Sequence, residues 1–129
     1  MTIDTSALLA VLLKEPGWET FRDLLAGPGR KVISSVSVLE ASMVLEGRRG
    51  STAAMDLDLF LHRAGIEVIA FDRDQLAVAR AAFRRFGKGR HRASLNFGDC
   101  AAYALAQWTG EPLLFKGDDF AATDVMRVL

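Results

Sequence analysis

The sequence predicts an α/β fold in which a central, mainly parallel sheet is covered by helices on both faces. Three observations carry that prediction. Short apolar, β-branched runs such as KVISS at 31–35 and IEVIAF at 66–71 alternate with amphipathic segments of helical length. Half of the 129 residues are hydrophobic, enough for one compact core. No internal repeat, low-complexity tract or linker breaks the pattern, so residues 1–129 read as a single domain.

Taken in order, MTID reads as a short first strand, and Asp4 to Ser6 precede a helical run from Ala7 to about Lys14. Pro16 suits the first turn of a second helix that ends near Gly27. After the GPG break at 27–29, KVISS is the second strand. Ser37 then opens an apolar-periodic helix, VLEASMVLEG, that stops at Gly47, and GRRGS is a loop. Residues 52–64 form an amphipathic helix whose Met55, Leu59 and Phe60 serve either core packing or contact with a partner. IEVIAF is the third strand. Asp72 to Phe86 is a helix with Leu76, Ala79, Ala82, Phe83 and Phe86 along one side, and GKGRHRAS has loop chemistry. A helix opened by Asp99 runs to Trp108 and is apolar around most of its circumference, as expected of a buried core element. PLLF at 112–115 is the fourth strand, KGDDF a turn, and VMRVL a final strand.

Composition excludes several function classes. Lys plus Arg and Asp plus Glu both number 16, so bulk charge attracts neither nucleic acid nor membrane, and any charged site must come from local clustering. The single cysteine, Cys100, has no internal disulfide partner, and no basic-then-apolar leader precedes the first strand. Both point to a reducing, cytoplasmic setting. The longest apolar run, ALLAVLL at 7–13, falls far short of the roughly 20 residues a membrane-spanning helix needs.

Acids fall at the places where such folds bind ligands. In open parallel sheets the strand C-termini and the following helix N-termini gather along one edge. Asp4 ends the first strand, Glu40 lies in the first turn of the helix after the second, Asp99 opens its helix, and Asp118 and Asp119 follow the fourth strand. Each acid alone is also explained by capping and the helix dipole, and Ser37-x-x-Glu40 fits a capping box. Capping does not, however, require a carboxylate at every junction on one edge. Several carboxylates within a few ångströms repel one another unless a cation compensates, and Asp and Glu oxygens suit hard cations such as Mg²⁺ or Mn²⁺.

The segments MTIDTSALLAVLLKEP, SSVSVLEASMVL, LNFGDCAAYALA and EPLLFKGDDF together resemble the four acidic motifs of a PIN domain, and most closely those of the VapC-like toxin ribonucleases. The resemblance covers nearly the whole chain. It matches Asp4 with Ser6 to the first motif, Glu40 to the second and Asp99 to the third. KGDDF departs from the commoner Thr-x-Asp-x-Asp-Phe-like pattern, so either Asp118 or Asp119 supplies the fourth acid; Asp118 is preferred, with Asp119 as an outer contributor. The resemblance implies a three-layer α/β/α PIN-like domain, a homodimer, and a VapB-like antitoxin that inserts a segment near the active site.

Phosphodiester hydrolysis builds negative charge on phosphoryl, attacking and leaving oxygens, which divalent ions stabilise. Asp4 and Asp99 are the expected direct ligands of Mg²⁺ or Mn²⁺, with Glu40 and Asp118 ligating or orienting water, and Ser6 holding Asp4 or a water. The products expected are a 5′-phosphate and a 3′-hydroxyl. RNA would be held by the segment RRFGKGRHR, 84–92, which carries five Lys or Arg and no acid. Lys88, Arg90, Arg92 and, at a strand end, Lys116 are the candidate phosphate contacts. The competing explanation is a solvated helix end whose basic residues complement the dipole.

Other readings are weaker. Cys100 more often packs than attacks, and nothing places His62 and His91 on one phosphate. A phosphatase of the haloacid dehalogenase type needs a second acid where Ser6 stands. A receiver needs an acidic pair before the first helix and a phosphoacceptor after the third strand, where Asp72 and Asp74 are available. A catalytically silent PIN-like interaction module remains the main alternative.

Overall fold

The computed structural model describes residues 1–129. Ten elements follow one another as β1 (Thr2–Ile3), α1 (Thr5–Leu12), α2 (Trp18–Ala26), β2 (Lys31–Ser34), α3 (Ser35–Arg49), α4 (Ala53–Ala64), β3 (Ile66–Ile69), α5 (Arg73–Phe86), α6 (Phe97–Thr109) and β4 (Leu113–Leu114). The four strands are parallel in the order β3-β2-β1-β4, and two helices link each consecutive pair of strands.

Register places Ile3 opposite both Ile33 and Leu114. All three are fully buried and face one core layer, where Leu8 and Ala7 of α1, Leu25 of α2, Leu45 of α3 and Leu57 of α4 close over them. Side chains alternate across a strand, so Leu113 and Phe115 point the other way, into a second layer built by Ala79, Ala82 and Phe86 of α5, Tyr103 of α6 and Phe120. The result is the expected α/β/α sandwich. Residues 98 to 106 of α6 are all buried, which explains their alanine-rich character, although Trp108 at the end of the helix is half exposed rather than part of the core.

Several boundaries differ from expectation for identifiable reasons. Pro16 precedes α2 instead of entering it, because Gly17 takes a left-handed conformation (φ 83°) as its N-cap. Helix α3 begins directly after β2, capped by the Ser34 hydroxyl, which accepts from the Val36 amide at 3.2 Å. It continues through Gly47 to Arg49, whose charge with that of Arg48 complements the C-terminal dipole, and ends at Gly50 (φ 84°). The last strand is reduced to one parallel bridge between Leu113 and Arg127. Lys31 is buried, and its Nζ donates to the Leu25 and Gly27 carbonyls at 2.9 and 2.7 Å, closing the end of α2. No helix is long and apolar enough to cross a membrane.

Candidate functional site

The strand order explains where the acids meet. The chain adds β2 and β3 on one side of β1 and then returns to add β4 on the other, so the strand order switches between β1 and β4. Open sheets bind ligands outside the strand C-termini at such a point. Asp4 stands there, and its backbone N–H donates to the Leu114 carbonyl across the switch at 2.9 Å.

Asp4 is the N-cap of α1, and its Oδ2 accepts from the Ser6 amide at 3.0 Å and the Ser6 hydroxyl at 2.5 Å. The same hydroxyl oxygen accepts from the Lys116 amide at 2.9 Å. Ser6 therefore fastens the first acid to the segment leaving β4. Asp4 is only 4 % exposed, and burial pushes its carboxyl up to about 6, against the pull of the Ser6 bonds and with a further push from the charge of Glu40.

Asp99 does not open its helix. Asn96 is the N-cap, its side chain accepting from the Asp99 amide at 2.9 Å, while Asp99 Oδ2 accepts from the Asn96 amide at 3.0 Å. This reciprocal capping box satisfies two helix-end donors and fixes the Asp99 rotamer. Burial raises the Asp99 carboxyl to about 7, opposed by the Asn96 bond and reinforced by the charges of Asp4, Asp119 and Glu40. The capping explanation is thus true of Asp4 and Asp99, yet both carboxyls are buried and raised by one another's or by Glu40's charge, a cost that a neutral Ser or Asn in the same role avoids.

For Glu40 the capping explanation fails. Ser34, not Ser37, caps α3, so the Ser37–Glu40 capping box is not formed and Glu40 lies in the second turn. Ser37 is buried with its hydroxyl unpartnered, while its carbonyl accepts from the Thr5 hydroxyl at 3.2 Å. The Glu40 carboxylate instead lies against Gly98, the residue before Asp99. Asp118 and Asp119 are both exposed after β4, and the charge of Asp119 is among those that act on Asp99.

None of Asp4, Glu40, Asp99, Asp118 and Asp119 takes part in an ion pair. Mutually repelling carboxylates without a basic neighbour fit a hard cation. No three acid, His or Cys side chains enclose a point by themselves, so a cation here would be met by one or two carboxylates and by water, as Mg²⁺ commonly is in proteins.

The basic segment runs directly into this site. Residues 87–95 fold back on themselves, Gly87 bridging Leu95, with the Lys88 amide donating to the Leu95 carbonyl at 3.0 Å and Leu95 fully buried. Asn96, the α6 cap, follows at once. Lys88, Arg90 and Arg92 are exposed and form no ion pair, and the Arg90 guanidinium stacks over Phe83 at 5.3 Å. Lys116 is partly committed to Glu15, 3.6 Å away. His91 has a local task, its Nδ1 accepting from the Ala93 amide at 3.0 Å and its ring meeting the Phe86 ring edge-on. His62 is exposed in the last turn of α4, before β3 begins, and so lies toward the opposite edge of the sheet. The two histidines do not form an acid–base pair.

The competing acids and the thiol have structural roles too. Asp72 is the N-cap of α5, accepting from the Gln75 amide at 2.9 Å. Cys100 is buried, and burial pushes its thiol up to about 11, which keeps it protonated. An apolar groove of about 410 Å³, lined by Val36, Phe71, Leu76, Phe83, Phe97 and Cys100, abuts the acids but contributes none of them. Sequence reasoning missed this groove, although Phe97 within the third motif was its visible signal: the residue is 80 % exposed.

Comparison with known proteins agrees with this fold. The PIN domain model matches residues 1–126. Ribonuclease VapC of Mycolicibacterium smegmatis is 51 % identical over 128 residues, covering 99 % of both chains. Among solved structures, VapC20 of Mycobacterium tuberculosis, described as a sarcin-ricin loop cleaving toxin, superposes with a TM-score of 0.81 at 20 % identity, covering 98 % of this chain and 97 % of that one. A toxin–antitoxin complex from Klebsiella pneumoniae contains a chain with a TM-score of 0.70 at 19 % identity, covering 95 % and 92 %. With the family model spanning almost the entire chain and a full-length relative at half identity, the protein belongs to the PIN-domain family, in its VapC branch.

Proposed function

We propose that this protein is an endoribonuclease that hydrolyses RNA phosphodiester bonds with a divalent cation, Mg²⁺ or Mn²⁺, and acts as the toxin of a toxin–antitoxin pair. The observation that carries the reading is that Asp4, Glu40 and Asp99, from separate elements, stand close enough for their charges to act on one another, with none of them in an ion pair. The name of the half-identical relative supports RNA as the substrate.

In this reading Asp4 and Asp99 would hold the cation, and Glu40 with Asp118 or Asp119 would ligate it or orient its water; the charge of Asp119 is among those that act on Asp99. The cation supplies stabilisation of charge on the phosphoryl oxygens and activates water for attack. Ser6 keeps Asp4 in one rotamer, and the Asn96 capping box does the same for Asp99, so neither carboxylate has to be ordered when substrate arrives. Lys88, Arg90 and Arg92 bind RNA phosphates beside the crevice, and Lys116 joins them by releasing Glu15. The products are a 5′-phosphate and a 3′-hydroxyl.

A small antitoxin protein restrains the enzyme in a cytoplasmic setting. The toxin–antitoxin assembly among the structural neighbours and the apolar groove next to the acids support such a partner. Homodimerisation is supported by Leu39, Met43, Met55 and Leu59, which α3 and α4 leave exposed.

The test is cleavage of a mixed cellular RNA pool by purified protein with Mg²⁺, with Mn²⁺ and with chelator, beside Asp4→Asn and Asp99→Asn. Ion-dependent cuts bearing 5′-phosphates and lost in both variants are expected. Cleavage that persists in chelator or in either variant removes the proposed centre, and ion binding without cleavage favours the silent interaction module.

A further inference from the structure

Gly98 occupies the second position of α6, between the exposed Phe97 and Asp99. Nothing in its backbone asks for glycine: it is not among the glycines with positive φ, and glycine is a poorer helix former than alanine. What singles it out is its surroundings. A Cβ built at this position would lie 2.7 Å from Glu40 Oε1 and 2.8 Å from Glu40 Cδ, closer than real Cβ contacts come. Gly47, the other helix-interior glycine, is the reverse case, since a Cβ there meets nothing within 4 Å.

We infer that Gly98 is a positioning residue for the acidic site: its missing side chain is the seat on which the Glu40 carboxylate rests, and this sets how closely Glu40 stands beside Asp99. The geometry leaves Glu40 few other restraints. It caps no helix end and forms no ion pair, so contact with the bare α6 backbone is what locates its charge. That charge acts on both buried aspartates, so a displaced Glu40 changes the field at the whole site. Because the crowded atoms are the far end of a flexible side chain, a methyl at position 98 moves the carboxylate and leaves the helix intact.

The inference rests on the proposed ionic site for its functional consequence but not for its structural one, and the experiment separates the two. Thermal melts, Mn²⁺ calorimetry and a crystal structure are obtained for wild type, Gly98→Ala, Gly47→Ala, Glu40→Gln and the Gly98→Ala/Glu40→Gln double variant. Gly98→Ala is expected to melt no lower than wild type, to show the Glu40 carboxylate displaced by more than about 0.5 Å from its seat, and to bind Mn²⁺ about 10-fold more weakly, the scale typical of lost support around a metal ligand. In the Glu40→Gln background the same methyl should change ion affinity less than about 2-fold, because its effect runs through Glu40. Gly47→Ala should leave ion affinity unchanged. An unmoved Glu40 in the Gly98→Ala crystal, or an equal loss of affinity with and without Glu40, overturns the inference. Should wild type bind no Mn²⁺, the ionic reading fails and the crystal structure alone decides the seat.

Discussion

The Ser6 hydroxyl donates to Asp4 Oδ2 at 2.5 Å and accepts the Lys116 amide at 2.9 Å, so one side chain ties the buried acid after β1 to the backbone leaving β4. Removing it leaves a partly buried amide and a carboxylate each short of a partner, and unmet polar groups of this kind cost about 1–3 kcal/mol. Ser6→Ala should therefore lower stability by about 1–3 kcal/mol in urea unfolding. Cleavage should fall with it, since only the residue-6 backbone amide, 3.0 Å from Oδ2, then holds the Asp4 rotamer. Ser6→Thr keeps the hydroxyl and should retain most of both.

Asp99→Asn tests the electrostatics by way of stability. The Asp99 carboxyl titrates at about 7 in the fold against 3.8 for an ordinary aspartate, and burial is the main cause. Between those values the folded state holds more protons at this group than the unfolded one, so the contribution of Asp99 to stability is greatest below pH 4 and declines as pH rises toward 7. Asparagine removes the charge and still accepts the Asn96 amide. With chelator present, the variant should match wild type near pH 3.5 and exceed it at pH 8, by about 1–3 kcal/mol once the site's relaxation is allowed for. A variant less stable than wild type at pH 8 would contradict the buried, repelled carboxylate. Mn²⁺ should raise the melting temperature of wild type and not of the variant.

Arg90→Gln with Arg92→Gln probes the segment before α6. Both guanidiniums are exposed and free of acids, so folding should change by less than about 0.5 kcal/mol, as at most surface positions. Binding to single-stranded RNA should weaken, and the slope of log K against log salt should shrink by about 1–1.5, the value for two lost phosphate contacts. An unchanged slope would make the segment an ordinary solvated surface.

Tyr103→Phe addresses the C-terminal segment. The Tyr103 hydroxyl donates to Asp124 at 2.6 Å and Arg85 holds the other oxygen of the same carboxylate at 2.8 Å, which locks residues after the fourth acidic motif onto α5 and α6. Losing the bond should cost about 1 kcal/mol. Hydrogen exchange should accelerate at Val125 and Val128 while the amides of α1 keep their protection; uniform acceleration throughout would mean that the lock is not local.

Much of the fold was legible because it rests on local rules. The short β-branched run in KVIS after the GPG break and the helical spacing from Asp72 to Phe86 mark their elements without help from the rest of the chain. The errors are also physical. Ser34 and Ser37 are both good caps, and the choice went to the residue whose backbone β2 leaves extended, with Ser37 turned into the core. VMRVL reads as a strand, but β4 is only two residues long and accepts a single bridge.

The identities and spacing of Asp4, Glu40 and Asp99 are properties of the sequence, as is the charge imbalance of residues 84–92, because composition and motif order survive in an unfolded chain. What only the tertiary structure decided is which of these groups share a space. Pairing β4 against β1 brings Asp4 beside residues more than 100 positions away, and a glycine chosen for its absence of side chain gives Glu40 its seat. Burial, and with it the raised titration of Asp4 and Asp99, belongs to that same level: desolvation comes from atoms distant in sequence, and no window along the chain contains them.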